Sequence, residues 1–234
     1  TGNALGFGLS KMTRTDVTSL TVRLRSPGFR TSNGFETNNS TKWMKLSKGK
    51  NIFYDNHPRL LASGHAIEMV YKTNYDGDVK KQEVEFGNKF VFLNGYEIAF
   101  NIESENELFS GVQFDNMVEA VISVTGKLNA KTKIHGGISS GDTIIRYLDI
   151  PEQTDAYGIW SYVEYKVSDQ ASTGIGTQYE DAKNYYDGFL INSWYTHSFT
   201  SKLSLRTKIQ YSDFSHSWFI EPLLTYQPTA FSAF

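Results

Sequence analysis

The stretch Tyr96-Glu97-Ile98-Ala99-Phe100-Asn101-Ile102-Glu103 sets large apolar side chains against small or polar ones at every second position. Successive side chains of a β-strand point to opposite faces, so this stretch reads as a strand with one oily and one polar face. The same period returns along the chain. Val84, Phe86, Phe90 and Phe92 alternate with Glu83, Glu85, Gly87 and Lys89, and Leu203, Leu205, Ile209 and Tyr211 with Ser204, Arg206, Lys208 and Gln210. Helical periodicity is almost absent.

Composition narrows the classes further. The 234 residues hold 16 Phe, 14 Tyr and 4 Trp, too many large apolar groups for a disordered chain. With no cysteine, a disulfide scaffold and a thiolate metal site are excluded. A formal charge of −2 does not suit a nucleic-acid binder driven by bulk charge. No apolar run reaches the roughly 18 residues of a membrane-spanning helix.

The expected strands are 17–26, 42–54, 65–75, 80–92, 96–105, 117–125, 130–139, 143–150, 157–168, 189–199, 203–213 and 217–227. Residues 1–16 form an N-terminal extension or part of the first strand; within them Asn3 to Thr13, with Leu5, Phe7 and Leu9 alternating with small residues, is a thirteenth candidate that either extends the first strand or acts as a plug. Tight connections then alternate with variable ones (27–41, 76–78, 106–116 and 169–188), the pattern of an all-β, antiparallel up-and-down transmembrane β-barrel of about 12 strands. The whole chain, 1–234, is expected to form this single domain. Closure would pair Val17–Ser26 with Ser217–Gln227, and Pro222 in the last strand calls for a bulge or a local break, since it lacks a ladder donor.

Alternation alone does not say which face lies inside. A soluble sandwich buries its apolar face, whereas a membrane barrel turns it to lipid. Long strands, charged polar faces and aromatics near strand ends (Trp43, Trp160, Trp194, Tyr195, Trp218 and Tyr226 among them) favour the barrel. The other reading is a soluble β-sandwich or jelly roll that binds carbohydrate or acts as a polysaccharide lyase. A third is a barrel whose 169–188 loop is adhesive or catalytic.

In the barrel reading the polar faces line a pore. Arg23, Arg25, Arg206 and Lys208 would be brought together by closure, forming a basic ladder that lowers the entry barrier for an anionic solute. Lys133 and His135 belong to the same lining. Glu83, Glu85 and Glu97 supply an acidic wall, and opposed walls would set up a transverse field. The competing account of these charges is a solvated outer face. Enzyme signals are thin: the five histidines show no metal spacing, and no Gly-x-Ser-x-Gly elbow occurs. Lys133, His135, Arg146 and Tyr162 suggest a lyase constellation, but no motif joins them.

In length, strand count and hairpins such as Phe199-Thr200-Ser201-Lys202-Leu203-Ser204-Leu205-Arg206, followed by Trp218 to Tyr226, the chain resembles the small monomeric outer-membrane porins of the oligogalacturonate- and sialic-acid-type (KdgM/NanC-like) family. The resemblance implies a compact twelve-stranded barrel passing acidic oligosaccharides past lumen arginines, with Arg23, Arg25 and Arg206 lining the pore. Phe234 matches the terminal aromatic of that class, while Ser232 stands where a second aromatic is usual and Phe231 is one place off. The expectation is therefore a non-enzymatic diffusion channel for acidic or neutral oligosaccharides, in the bacterial outer membrane, its signal peptide already removed. It would need no cofactor, catalytic residue or metal. Its partners would be membrane lipid and small hydrophilic solutes, not nucleic acid, and it would be monomeric.

Overall fold

A computed structural model describes residues 3–26 and 40–227. The terminal Phe231, Ser232 and Phe234 and most of the 27–41 connection lie outside the described residues. Thirteen strands follow one another: β1 (Ala4–Met12), β2 (Asp16–Arg25), β3 (Thr41–Phe53), β4 (Leu60–Asn74), β5 (Val79–Phe92), β6 (Glu97–Phe109), β7 (Val112–Lys127), β8 (Thr132–Ile145), β9 (Glu152–Lys166), β10 (Ala171–Ala182), β11 (Tyr186–Ser198), β12 (Leu203–Ser212) and β13 (Ser217–Tyr226). The sheet order is the chain order, β1 to β13, and every pairing with a resolved register is antiparallel. The chain divides into two compact units. One comprises Thr1–Leu93, Ala99–Val121 and Gly141–Thr154, and the other Asn94–Ile98, Ile122–Ser140 and Asp155–Phe234.

The all-β up-and-down architecture is as expected, but the count and the ends differ. The segments expected at 130–139 and 143–150 are one strand, β8, and 146–151 is its connection to β9. The 169–188 stretch, rich in Gly, Ser and Thr, is mostly strand: β10 and the start of β11. Its glycines have a packing reason. A Cβ on Gly174 would lie 2.7 Å from Trp194 Nε1, and one on Gly176 3.1 Å from Tyr162 Cδ2. Glycine inside a strand marks such close approach. The N-terminal segment is a strand of its own. One merger and two additions turn twelve strands into thirteen.

The expected alternation of tight and variable connections does not hold. Among the described residues no connection exceeds six residues apart from 26–40. The 106–116 segment is the sharpest case. It is the ends of β6 and β7 joined by Ser110 and Gly111, both with positive φ (50° and 83°), as a tight hairpin requires. Next to it Phe114, Met117 and Ile144 are buried, with Phe109 and Val112 packed on them. That small apolar cluster holds these strand ends together.

The expected closing pair is also overturned. β2 is flanked by β1 (Leu9 opposite Leu20) and by β3 (Leu20 opposite Leu46), so neither of its edges is open to the last strand. Pro222 sits opposite Thr207 in an unbroken register, with no bulge.

The register sorts side chains onto two faces. In the second unit one face carries Ile159, Val163, Ile175, Ile191, Ile209, Ile220 and Leu224. Tyr165, Tyr195 and Tyr226 lie on that face toward one end, and Tyr157, Tyr211 and Trp218 toward the other. In the first unit Met44 and Leu46 sit between Lys42 and Lys48 on β3, beside Met69 and Tyr71 of β4. These side chains are not a dry core: Phe86 is 51% exposed, Ile98 38% and Ile122 43%. A sandwich would have buried them.

Candidate functional site

The opposite, charged face is where the candidate residues converge. In the first unit Arg23 and Arg25 project from β2, Trp43 and Lys45 from β3, Glu68 and Lys72 from β4, and Lys81, Glu83 and Glu85 from β5. The register puts Arg23 opposite Trp43, Trp43 opposite Lys72, Lys72 opposite Lys81, and Glu68 opposite Glu85. Arg23, Arg25, Trp43, Lys72, Lys81 and Glu83 line a pocket of about 290 Å³. The Arg23 guanidinium lies 5.1 Å from the Trp43 ring centroid, within cation–π range.

Acid and base are interleaved here rather than segregated. Lys45 pairs with Glu68. Lys81 sits 2.7 Å from Glu83, also pairs with Glu105, and lies 3.8 Å from Glu103. Arg146 holds Glu107. The expected separation into a basic wall and an acidic wall is therefore absent from this unit, because each carboxylate cluster on β4–β6 has a lysine or arginine among it. Two carboxylate groupings have oxygens close enough to share a cation, namely Glu68, Glu83 and Glu85, and Glu83, Glu103 and Glu105. In both, the positive charge is already supplied by Lys45 or Lys81.

A second depression, of about 520 Å³, lies further along the same strands. Gly49, Gly64, Ala66, Gly87 and Ala99 give it a floor of small residues, bordered by Glu85 and Lys89.

In the second unit the charged face holds Lys133 and His135 on β8, Arg206 and Lys208 on β12, and Glu97 at the start of β6. Lys133 lies 3.7 Å from Glu164. His135 is engaged at both ring nitrogens, Nδ1 with the Thr125 hydroxyl at 2.7 Å and Nε2 accepting from Trp160 Nε1 at 3.2 Å. Tyr162 Oη accepts from Trp194 Nε1 at 2.7 Å, and Trp194 stands opposite Lys208. His135 and Tyr162, which line one cavity, are each hydrogen-bonded to a tryptophan, and Arg146 is committed to Glu107.

Three of the four tryptophans thus belong to the charged face. Their position near strand ends in the sequence instead suggests interfacial girdle residues for Trp43, Trp160 and Trp194. The signal that separates them from Trp218 is their parity with charged neighbours: Trp43 with Lys45, Trp160 with Tyr162 and Glu164.

The match to solved structures covers nearly the whole chain. A solved porin superposes on it with a TM-score of 0.58, covering 96% of this chain and 98% of the porin at 10% sequence identity. The fold is that of a porin. No protein-family model matches the sequence, and no curated protein matches it.

Proposed function

We propose that the chain is a passive outer-membrane channel for small hydrophilic solutes. Residues 1–234 would form one closed barrel, with the charged face turned to a water-filled lumen. The observation that carries this reading is the banding of the apolar face in the second unit. Tyr157 and Tyr165 bracket Ile159 and Val163 on β9. Eight residues span about 27 Å along a strand, or about 20 Å across a membrane at a usual tilt, close to the ~25 Å apolar band of such barrels. Lys42 and Lys48 on β3 fit the same scheme, because long stems let their ammonium groups reach the headgroups.

The finer reading is that the solutes are acidic or neutral oligosaccharides, as in the oligogalacturonate- and sialic-acid-type porins. Arg23, Arg25, Arg206 and Lys208 would draw carboxylates, while Trp43, Trp160 and Trp194 offer flat apolar faces to sugar rings. Lys133, His135, Glu83, Glu85 and Glu97 complete the lining, and passage requires no chemistry, cofactor or metal. A single chain suffices, in contact with outer-membrane lipid.

The test is purification and conductance. The protein should need detergent, change gel mobility on heating and conduct in planar bilayers. The Arg206→Glu, Lys208→Glu double variant should shift ion selectivity toward cations. A protein soluble without detergent and silent in bilayers would refute the channel, and unchanged selectivity would remove these two residues from the filter.

A further inference from the structure

On the apolar face of β4 and β5, Ser63, His65 and Asn88 form a polar group between Phe90 and Phe86. Ser63 and His65 flank Gly64 on β4, and Asn88 stands opposite His65 on β5. Ser63 Oγ lies 3.0 Å from His65 Nε2, and His65 Nδ1 lies 2.8 Å from Asn88 Oδ1. A carbonyl oxygen carries no hydrogen, so Nδ1 is the protonated nitrogen and donates to Asn88. Nε2 is left as a lone pair that accepts the Ser63 hydroxyl. A nucleophile bonded to a base that a third group orients is the triad arrangement, recognised by geometry rather than by sequence order.

We propose that Ser63, His65 and Asn88 form a serine-hydrolase site for carboxylic esters of long acyl chains. Ser63 Oγ adds to the ester carbonyl carbon while its proton passes to His65 Nε2. The bond to the alcohol oxygen breaks, and His65 returns the proton to that oxygen. Water then gives its proton to His65 and adds to the acyl carbon. The bond to Oγ breaks, Ser63 recovers a proton, and a carboxylic acid leaves. Asn88 is a positioning residue that fixes the imidazole tautomer.

The surroundings choose the substrate. Ser63 lies opposite Phe90, and Ile67 of the same face lies opposite Phe86. An acyl chain lying along Ile67, Met69 and Phe86 would bring its ester to Oγ. That choice of ester rests on the apolar face meeting lipid, whereas the triad itself does not.

Ser63 is 1% exposed, and Tyr54 Oη lies 3.0 Å from its Oγ. Since the serine proton is given to His65, the phenol donates. Substrate would enter by rotation of the Tyr54 ring off the hydroxyl, its backbone N–H staying bonded to the Leu61 carbonyl.

The experiment uses the full chain in detergent micelles, a fluorophosphonate probe and mass mapping of the adduct. The expected result is one adduct, on Ser63, absent in Ser63→Ala and formed faster in Tyr54→Ala. Hydrolysis of p-nitrophenyl butyrate and of a long-chain phospholipid in mixed micelles should fall about a thousandfold in His65→Ala. Asn88→Ala should lower kcat with KM unchanged, and Asn88→Asp should restore it. If Ser63→Ala does not fold, the adduct position on the unaltered protein decides. No adduct on Ser63 in either the unaltered protein or Tyr54→Ala overturns the triad. Cleavage of the butyrate ester alone overturns the lipid substrate. These readouts do not depend on conductance, so a failed channel and a failed hydrolase are told apart.

Discussion

Arg146 grips Glu107 with both terminal nitrogens, Nη1 to Oε1 at 2.8 Å and Nη2 to Oε2 at 2.7 Å. The guanidinium also lies 4.5 Å from the Phe109 ring centroid. One side chain from the 146–151 connection thus ties β8 back to β6 beside the small apolar cluster. Only a planar fork can make both bonds and still lie against a ring. Arg146→Ala leaves the Glu107 carboxylate without that partner and should destabilise the fold by about 1–2 kcal/mol, discounted for the partial exposure of the pair. Arg146→Lys should recover less than half of the loss. The check is the temperature at which gel mobility changes on heating in detergent. Equal behaviour of the lysine variant and the unaltered protein would show that the fork contributes nothing.

Three glycines should rank in a definite order. A Cβ on Gly141 would collide with the Val118 carbonyl oxygen and lie 2.5 Å from Glu119 Cα, so backbone must move. On Gly174 it would meet the Trp194 ring at 2.7 Å, which can shift only by breaking its bond to Tyr162. On Gly6 it would meet nothing within 4 Å. Gly141→Ala should therefore cost about 2–3 kcal/mol, Gly174→Ala about 1 kcal/mol and Gly6→Ala almost nothing, in line with overpacking elsewhere. Thermal unfolding in detergent ranks them, and a neutral Gly141→Ala would contradict the close approach.

These glycines also explain what the sequence concealed. Alternation in 84–92, 96–103 and 203–211 was enough to read strands and their faces, because each carries large side chains on one parity. The 171–182 segment, Ala-Ser-Thr-Gly-Ile-Gly-Thr-Gln-Tyr-Glu-Asp-Ala, lacks that contrast, since its charged-face positions are emptied to seat Trp194 and Tyr162. The break expected between 139 and 143 arose in the same way at Gly141. For the site, parity alone assigned Arg23, Arg25, Glu83 and Glu85 to one face, and the register brings Arg23, Arg25 and Glu83 around one pocket. What parity does not give is partnership: Lys81, between Glu83 and Glu105, neutralises a wall that looked acidic from sequence. Ser63 and Gly64 fall before the strand expected at 65–75, so the Ser63–His65 pair was not legible in the sequence, and Asn88 joins it only through the pairing of β4 with β5.

The turn after β9 should show a local pH response. A hydrogen bond from Lys166 Nζ, 2.6 Å away, holds the Asp169 carboxyl below the usual aspartate range. A carboxyl lowered in the folded state favours folding above its unfolded value, and that contribution disappears as pH falls through the lowered value. Because Asp169 is fully exposed, the melting temperature should not change measurably in Lys166→Ala. The Asp169 titration, followed by carboxyl NMR, should move back up toward the ordinary range. A midpoint that stays put in Lys166→Ala would mean the pair does not persist in solution.

Solute contact should depend on which face a tryptophan occupies. Trp194 is on the charged face, seated over Gly174 and hydrogen-bonded to Tyr162. Trp218 is on the apolar face, 4.9 Å from Tyr211 between ring centroids. A sugar ring stacks its C–H face on an indole held edge-fixed in this way, and the fixed ring loses little freedom on contact. In a planar bilayer, block of the current by a neutral malto-oligosaccharide should weaken roughly three- to tenfold in Trp194→Ala, equivalent to ~0.6–1.4 kcal/mol. Trp218→Ala should leave the block unchanged while lowering the temperature of the gel-mobility change, since it removes an aromatic from the interfacial band. If Trp218→Ala weakens the block and Trp194→Ala does not, the solute travels along the face assigned to lipid and the two faces have been exchanged.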